Sequence, residues 1–127
     1  MATWQQVKSY IYGNYQVASD EGDHLTLVFQ TEAGRSQMVM IAHISADEFS
    51  SVIFSSPIAA WNQVAADRVL RATEEIPAGI RSIGDYIVAH HSQLLATIDE
   101  AEIDLPMALL VNQADQLERY LGLGDQF

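Results

Sequence analysis

The sequence predicts an α+β domain: an antiparallel β-sheet with helices packed on it, in the order α-β-β-β-β-α-β-β-α. Three stretches carry that expectation. From His24 to Ile44, apolar and polar residues alternate on both sides of Glu32-Ala33-Gly34, as in a half-buried antiparallel pair. From Ile80 to Ser92, a second run is split by Gly84-Asp85, which suits a type II′ hairpin turn. In the last stretch Ile103, Met107, Leu110, Val111, Ala114, Leu117 and Leu121 recur as one helical stripe.

The elements follow in order. Thr3 and Gln6 form a Thr-x-x-Gln capping box, and Trp4, Val7 and Ile11 recur at helical spacing behind it. Gly13-Asn14 ends that helix. Tyr10, Tyr12 and Tyr15 crowd its exit, and three tyrosines there cannot share one buried stripe. Gln16 to Asp20 is a short first strand, and Glu21-Gly22-Asp23 turns into the central hairpin. Within the hairpin, Leu25, Leu27 and Phe29 share a face. Met38, Met40, Ala42 and Ile44 share one in the second strand, with Gln37 and His43 opposite and Val39 and Ile41 between. The face carrying Leu25, Leu27, Phe29, Met38 and Met40 is the one expected to be covered.

Phe49 to Phe54 is the next strand, closed at Ser55-Ser56-Pro57 because proline cannot donate to a ladder. A helix beginning near Ala60 to Asn62 and running to Thr73 buries Trp61, Val64, Ala65 and Ala72, with Val69 and Leu70 nearby. Pro77-Ala78-Gly79 terminates it. The final helix has two candidate starts, at Asp99 with Glu102 and at Asp104. Pro106 favours the later one, because proline sits best in a first turn. Gly122 and Gly124 stop it.

A chain of 127 residues is read as one domain, 1–127. With 49% hydrophobic residues it has material for a core. It has no cysteine, which excludes disulfides, thiolate catalysis and thiolate metal sites and suits a reducing compartment. Seventeen acidic residues against six basic leave a net charge of −11. That argues against phosphate-backbone binding and against docking on anionic membranes. Basic or amphipathic partners fit better, although the acid excess also serves solubility. No apolar run approaches the ~20 residues of a membrane helix, and the first residues lack a signal-peptide pattern. The expected location is cytoplasmic.

No catalytic, cofactor or metal site emerges. His24, His43, His90 and His91 lack zinc-ligand spacing, and strand neighbours such as His90 and His91 point to opposite faces. Neither acidic cluster, Asp20-Glu21-Asp23 or Asp99-Glu100-Glu102-Asp104, matches an EF-hand loop. The glycines around Ile80 and Leu123 match no nucleophile elbow or dinucleotide fingerprint. The aromatics Tyr12, Tyr15, Phe54 and Trp61 are the candidates for partner binding. Core packing is the commoner role for Phe54 and Trp61, while tyrosines at a helix exit suit an interface.

From residue 49 onward the chain resembles the bacterial YbjN-type family. The resemblance rests on Phe49 to Pro57 followed by a helix, the hairpin Ile80 to Ser92, Leu94 to Asp99, and the closing Ala114-Asp115-Gln116-Leu117-Glu118 with Gly122, Gly124-Asp125 and Phe127. It implies a fold similar to type III secretion chaperones, with helices against a curved antiparallel sheet and frequent homodimers. It carries over no catalytic residue. The expectation is a non-enzymatic, chaperone-like or regulatory protein-binding module, a homodimer whose partner has apolar and basic segments. A small-ligand sensor or enzyme with an unrecognised pocket is the alternative, and a structural subunit of an assembly is a third.

Overall fold

The computed structural model describes residues 3–31, 34–46 and 48–123. Helix α1 (Trp4–Asn14) opens the chain, followed by strands β1 (Ser19–Asp20), β2 (His24–Gln30), β3 (Ser36–Ala46) and β4 (Phe49–Ala60). Helix α2 (Ala66–Ala72), strands β5 (Ile80–Ile83) and β6 (Tyr86–Leu94), a 3₁₀ turn (Leu95–Thr97) and helix α3 (Ala101–Tyr120) complete it. All strand pairs are antiparallel, in the order β1-β2-β3-β4-β6-β5. The expected order of elements and the α+β class are both observed.

The capping box forms. Thr3 Oγ1 accepts the Gln6 N–H at 3.2 Å and the Gln6 side chain accepts the Thr3 N–H at 3.2 Å. Trp4, Val7 and Ile11 are buried as expected. Trp4 also donates its indole N–H to the Gly22 carbonyl at 2.7 Å and stacks on His43, which holds the start of α1 against the sheet. The helix ends by extension of Tyr15, not by a left-handed glycine, so Gly13 is an ordinary helical residue.

Several boundaries differ from expectation. β1 has two residues, Ser19 and Asp20, and does not reach back to Gln16. In β3 the core-facing residues are Gln37, Val39 and Ile41, and Met38 and Met40 lie on the other face. Register decides this: Leu25 pairs Ile41, Leu27 pairs Val39 and Phe29 pairs Gln37, so directly opposed side chains share one face. Both sides of β3 are apolar, and only the pairing tells them apart.

β4 does not close at Pro57. It continues to Ala60 through a bulge between Pro57 and Ala59, in the middle of the sheet. Gln37 repairs the ladder there. Its buried amide donates to Ser56 Oγ at 2.9 Å and to the Pro57 carbonyl at 3.0 Å, while Ser56 Oγ donates to the Met38 carbonyl at 2.6 Å. Because the strand uses residues 55–60, α2 starts at Ala66. Val64, Val69 and Ala72 are buried, but Trp61 is 47% exposed in the preceding turn and Leu70 is exposed. Gly84 takes positive φ, +57°, as its turn requires.

α3 uses the earlier start. Asp99 Oδ1 accepts the Glu102 N–H at 2.8 Å and Glu102 Oε1 accepts the Asp99 N–H at 3.3 Å, and the helix runs from Ala101. Pro106 is buried inside it, so the later start is excluded. The predicted stripe is buried, with Val111 at its margin. Gly122, at φ +73°, turns the chain out of α3. Glu32 and Ala33 of the hairpin loop, Asp47, and the closing Gly124, Asp125 and Phe127 lie outside the described residues.

The core lies on one side of the sheet. There α1, α2 and α3 cover Leu25, Leu27, Val39, Ile41, Val52, Phe54, Ile58, Ile87 and Ala89. Among the described residues no helix covers the other side.

Candidate functional site: the open sheet face

Strand alternation and register determine what the uncovered face carries. From β2 it receives His24, Thr26, Val28 and Gln30, and from β3 Ser36, Met38, Met40, Ala42 and Ile44. β4 contributes Ser51, Ile53, Ser55 and Pro57; β6 contributes Tyr86, Val88, His90, Ser92 and Leu94; β5 contributes Arg81 and Ile83. None of these residues is acidic, in a chain with seventeen acids. Met38, Met40, Ile83 and Tyr86 surround the nearly inaccessible Ser55, Pro57 and Val88, forming a shallow apolar hollow of about 250 Å³. Val28 is 51% exposed at one margin, and Tyr86 is 44% exposed at the other.

His90, on this face, has its imidazole held below its ordinary pKa, first by burial and then by the nearby Arg81 and His91 charges. It therefore favours the neutral form beside the Arg81 guanidinium.

The four candidate aromatics do not converge. Phe54 is fully buried between sheet and helices, so it is a core residue. Trp61 sits beside Tyr86 in the turn after β4, and its indole N–H reaches Ser82 Oγ, on the other face of β5, at 3.3 Å. Tyr12 is 51% exposed on α1 and donates to Asp20 Oδ2 at 2.8 Å. Tyr15 is half-buried, set edge-on against Phe29, and donates to Asp104 Oδ1 at 2.5 Å. Tyr10 donates to the other oxygen of the same carboxylate at 2.7 Å. The phenol of Tyr10 is pushed up to about 12, chiefly by that hydrogen bond. The phenol of Tyr15 is raised further, first by burial and then by Asp104. Tyr10 and Tyr15 thus join α1 to α3.

Asp20 is an anchor of another kind. It accepts from the Gly22 N–H at 2.8 Å, from Lys8 Nζ at 3.1 Å and from the Tyr12 hydroxyl. The Gly22 N–H, then the Tyr12 and Lys8 hydrogen bonds, hold its carboxyl down at about 2.

A more polar depression of about 530 Å³ lies between β2 and α3, lined by Gln30, Thr31, Val111, Asp115, Gln116 and Arg119. Its ionic groups are already engaged. Arg35 Nε meets Asp115 Oδ1 at 2.6 Å, Arg35 Nη2 meets the fully buried Glu118 Oε2 at 3.1 Å, and Arg119 Nε meets Asp115 Oδ2 at 3.2 Å. Among the described residues no group of three or more His, Asp or Glu side chains is arranged to hold a metal ion, and no helix is long and apolar enough to cross a membrane.

Met38 and Met40 lie on the open side, not on the covered side that the sequence predicts. The signal for the open side was the alternation of Met38, Met40, Ala42 and Ile44 against an equally apolar Val39 and Ile41.

No protein-family model matches the chain, and no curated protein matches it either. Among solved structures, the chain is similar to a chain in the crystal structure of the ExsC–ExsE complex, with a TM-score of 0.62 and 10% sequence identity. The match covers 95% of this chain and 97% of that one. At that identity the likeness shows the fold alone, the α+β arrangement of helices on an antiparallel sheet that the sequence predicts.

Proposed function

We propose that this protein is a non-enzymatic, chaperone-like protein-binding module of the cytoplasm, related to the YbjN-type proteins and working as a homodimer. The reading rests on one observation above all: a broad apolar sheet face, uncovered by any described helix and free of acidic residues, in a chain of net charge −11. Contiguous exposed apolar surface of this kind marks binding sites. The partner is a polypeptide segment whose apolar side chains enter the hollow between Met38, Met40, Ile83 and Tyr86, with Trp61 at the margin. Its basic flanks face the acids beyond the sheet. Tyr12 offers a second, separate contact on α1. The fold likeness to a protein crystallised in a two-protein complex supports the same reading.

The test is capture of partners from the source cells by tagged parent, Val28→Asp and Met40→Asp proteins, followed by binding kinetics. A partner held by the parent and lost with both variants, with association slowed by salt, is the expected result. A partner retained by both folded variants would remove the open face from the function. Light scattering behind a sizing column tests the homodimer, and a monomer at micromolar concentration would exclude it.

A further inference from the structure

β6 is longer than its outer neighbour. β5 pairs with it only from Tyr86 to Ala89. One more bond follows, from the His90 N–H to the Gly79 carbonyl at 2.9 Å. Beyond it, Ser92 and Leu94 are paired to β4 on one side, and no described strand flanks them on the other. Antiparallel strands turn alternate backbone groups to alternate sides, so the orientation of His90 turns those of Ser92 and Leu94 outward as well. This half of β6 is an open strand edge.

Beside that edge lies a cleft of about 200 Å³ between β6 and the first half of α3. His91 and Gln93, joined ring to amide at 2.8 Å, form its β6 wall. Ala101, Leu105 and Leu109 form the α3 wall, one turn apart, with Leu105 68% exposed and Leu109 49% exposed. Leu94, also half exposed, flanks the edge. Charge enters at one end only, where Glu102 lines the cleft and Asp99 and Glu100 are exposed nearby.

We propose that the free half of β6 and this cleft accept an extended segment of a partner polypeptide as an added strand. Its backbone pairs with Ser92 and Leu94. Its alternate apolar side chains lie toward Leu105 and Leu109, and a basic side chain faces Glu102. The period of a strand suits this, because residues two apart point to one side and enter one cleft. A second copy is the wrong occupant. Antiparallel pairing of two β6 edges would set Asp99, Glu100 and Glu102 of both copies beside one axis, in a chain already at −11. The inference rests on the protein-binding reading but uses a surface separate from the open face.

The probe is a labelled synthetic peptide of alternating valine and threonine with lysine in place of the last valine, measured by fluorescence anisotropy at two salt concentrations. Its control has the same sequence with alternate backbone amides N-methylated, which keeps charge and apolarity but blocks pairing along one edge. The variants are Ser92→Pro, which removes an N–H that no described strand accepts, and Leu109→Asp; thermal melting confirms that each folds. Both variants, and methylation of the edge-facing amides, are expected to weaken binding about tenfold. Val28→Asp is expected to leave it unchanged, so failure of the open-face reading and failure of this one give different patterns. Equal binding by the parent and both variants, equal binding of both peptides, or no binding by the parent overturns the proposal. So does a homodimer that Ser92→Pro dissociates, which would make the edge a self-interface.

Discussion

The amide of Gln37, fully buried on β3, donates to the carbonyl of Pro57 on the neighbouring strand at 3.0 Å. The bulge around this proline frees carbonyls on both strands: Gln37 satisfies the Pro57 carbonyl, and the Ser56 hydroxyl donates to the Met38 carbonyl. Gln37→Leu should therefore destabilise the fold by about 1–2 kcal/mol. The figure stays low because Gln37 Oε1 has no hydrogen-bond partner of its own, and leucine removes that buried acceptor too. Urea denaturation measures the change, and an unaltered midpoint would show that the bulge needs no side-chain donor.

Asp104 receives two phenols, and its loss should loosen α1 from α3. Tyr15→Phe should cost about 1–2 kcal/mol, as for a hydrogen bond to a charged acceptor in a half-buried place. Combined with Tyr10→Phe, the two losses should not add, because both depend on one carboxylate. Tyr10 is raised in the folded state, so its bond is fully formed below the ordinary tyrosine range near ~10 and is lost as pH rises through about 12. Alkaline titration of phenolate absorbance should show Asp104→Asn bringing Tyr10 back toward that ordinary range.

Asp20 has the opposite sign. Its folded-state pKa, about 2, lies below the ordinary aspartate value near ~3.9, so its stabilising effect is present above that value and disappears as pH falls through about 2. Asp20→Asn should be less stable than the parent at neutral pH, and the gap should close on acidification. A gap independent of pH would locate the effect in packing.

Arg35 joins the start of β3 to Asp115 and Glu118 on α3. Because Glu118 is fully buried, Arg35→Ala should cost about 3 kcal/mol, the usual scale for removing one partner of a buried ion pair. Substituting methionine should recover only the packing of the side-chain stem. Differential scanning calorimetry of both variants tests this.

Gly84 sits at φ +57° with open space where a Cβ would stand. Gly84→Val should thus act through backbone strain alone, about 1–3 kcal/mol. A loss of the same sign in Gly84→Ala, smaller because alanine is unbranched, would confirm that strain and not crowding is responsible.

Where a single periodicity dominated, the fold was legible. The α3 stripe, the α1 capping box and the Gly84 turn all follow from local patterns that tertiary contacts did not override. The β3 face was not legible, because Met38, Val39, Met40 and Ile41 are all apolar and only pairing with Leu25 and Leu27 chooses between them. The continuation of β4 was hidden for another reason. Proline ends a strand unless side chains take up the carbonyls left without a ladder donor, and one of those side chains, Gln37, lies on another strand. Trp61 followed from the same error, since a strand running to Ala60 leaves it in a turn. The site shares this origin: which side of the sheet stays open depends on register, a property of two strands.

The strand order also sets a sequence of events in time. β2, β3 and β4 are consecutive along the chain and pair as neighbours, so each closes a short loop. β4 and β6 are separated by α2 and β5, and their pairing closes the longest loop in the sheet. Longer closures are slower and entropically less favourable. The β2–β3–β4 meander is therefore expected to gain protection from hydrogen exchange first during refolding. Until β6 docks, the long edge of β4 stands exposed, with its bulge the one interruption along it. Proline and bulge together make that temporary edge a poor template for a second chain, and so guard the folding protein against pairing with its own unfinished copies.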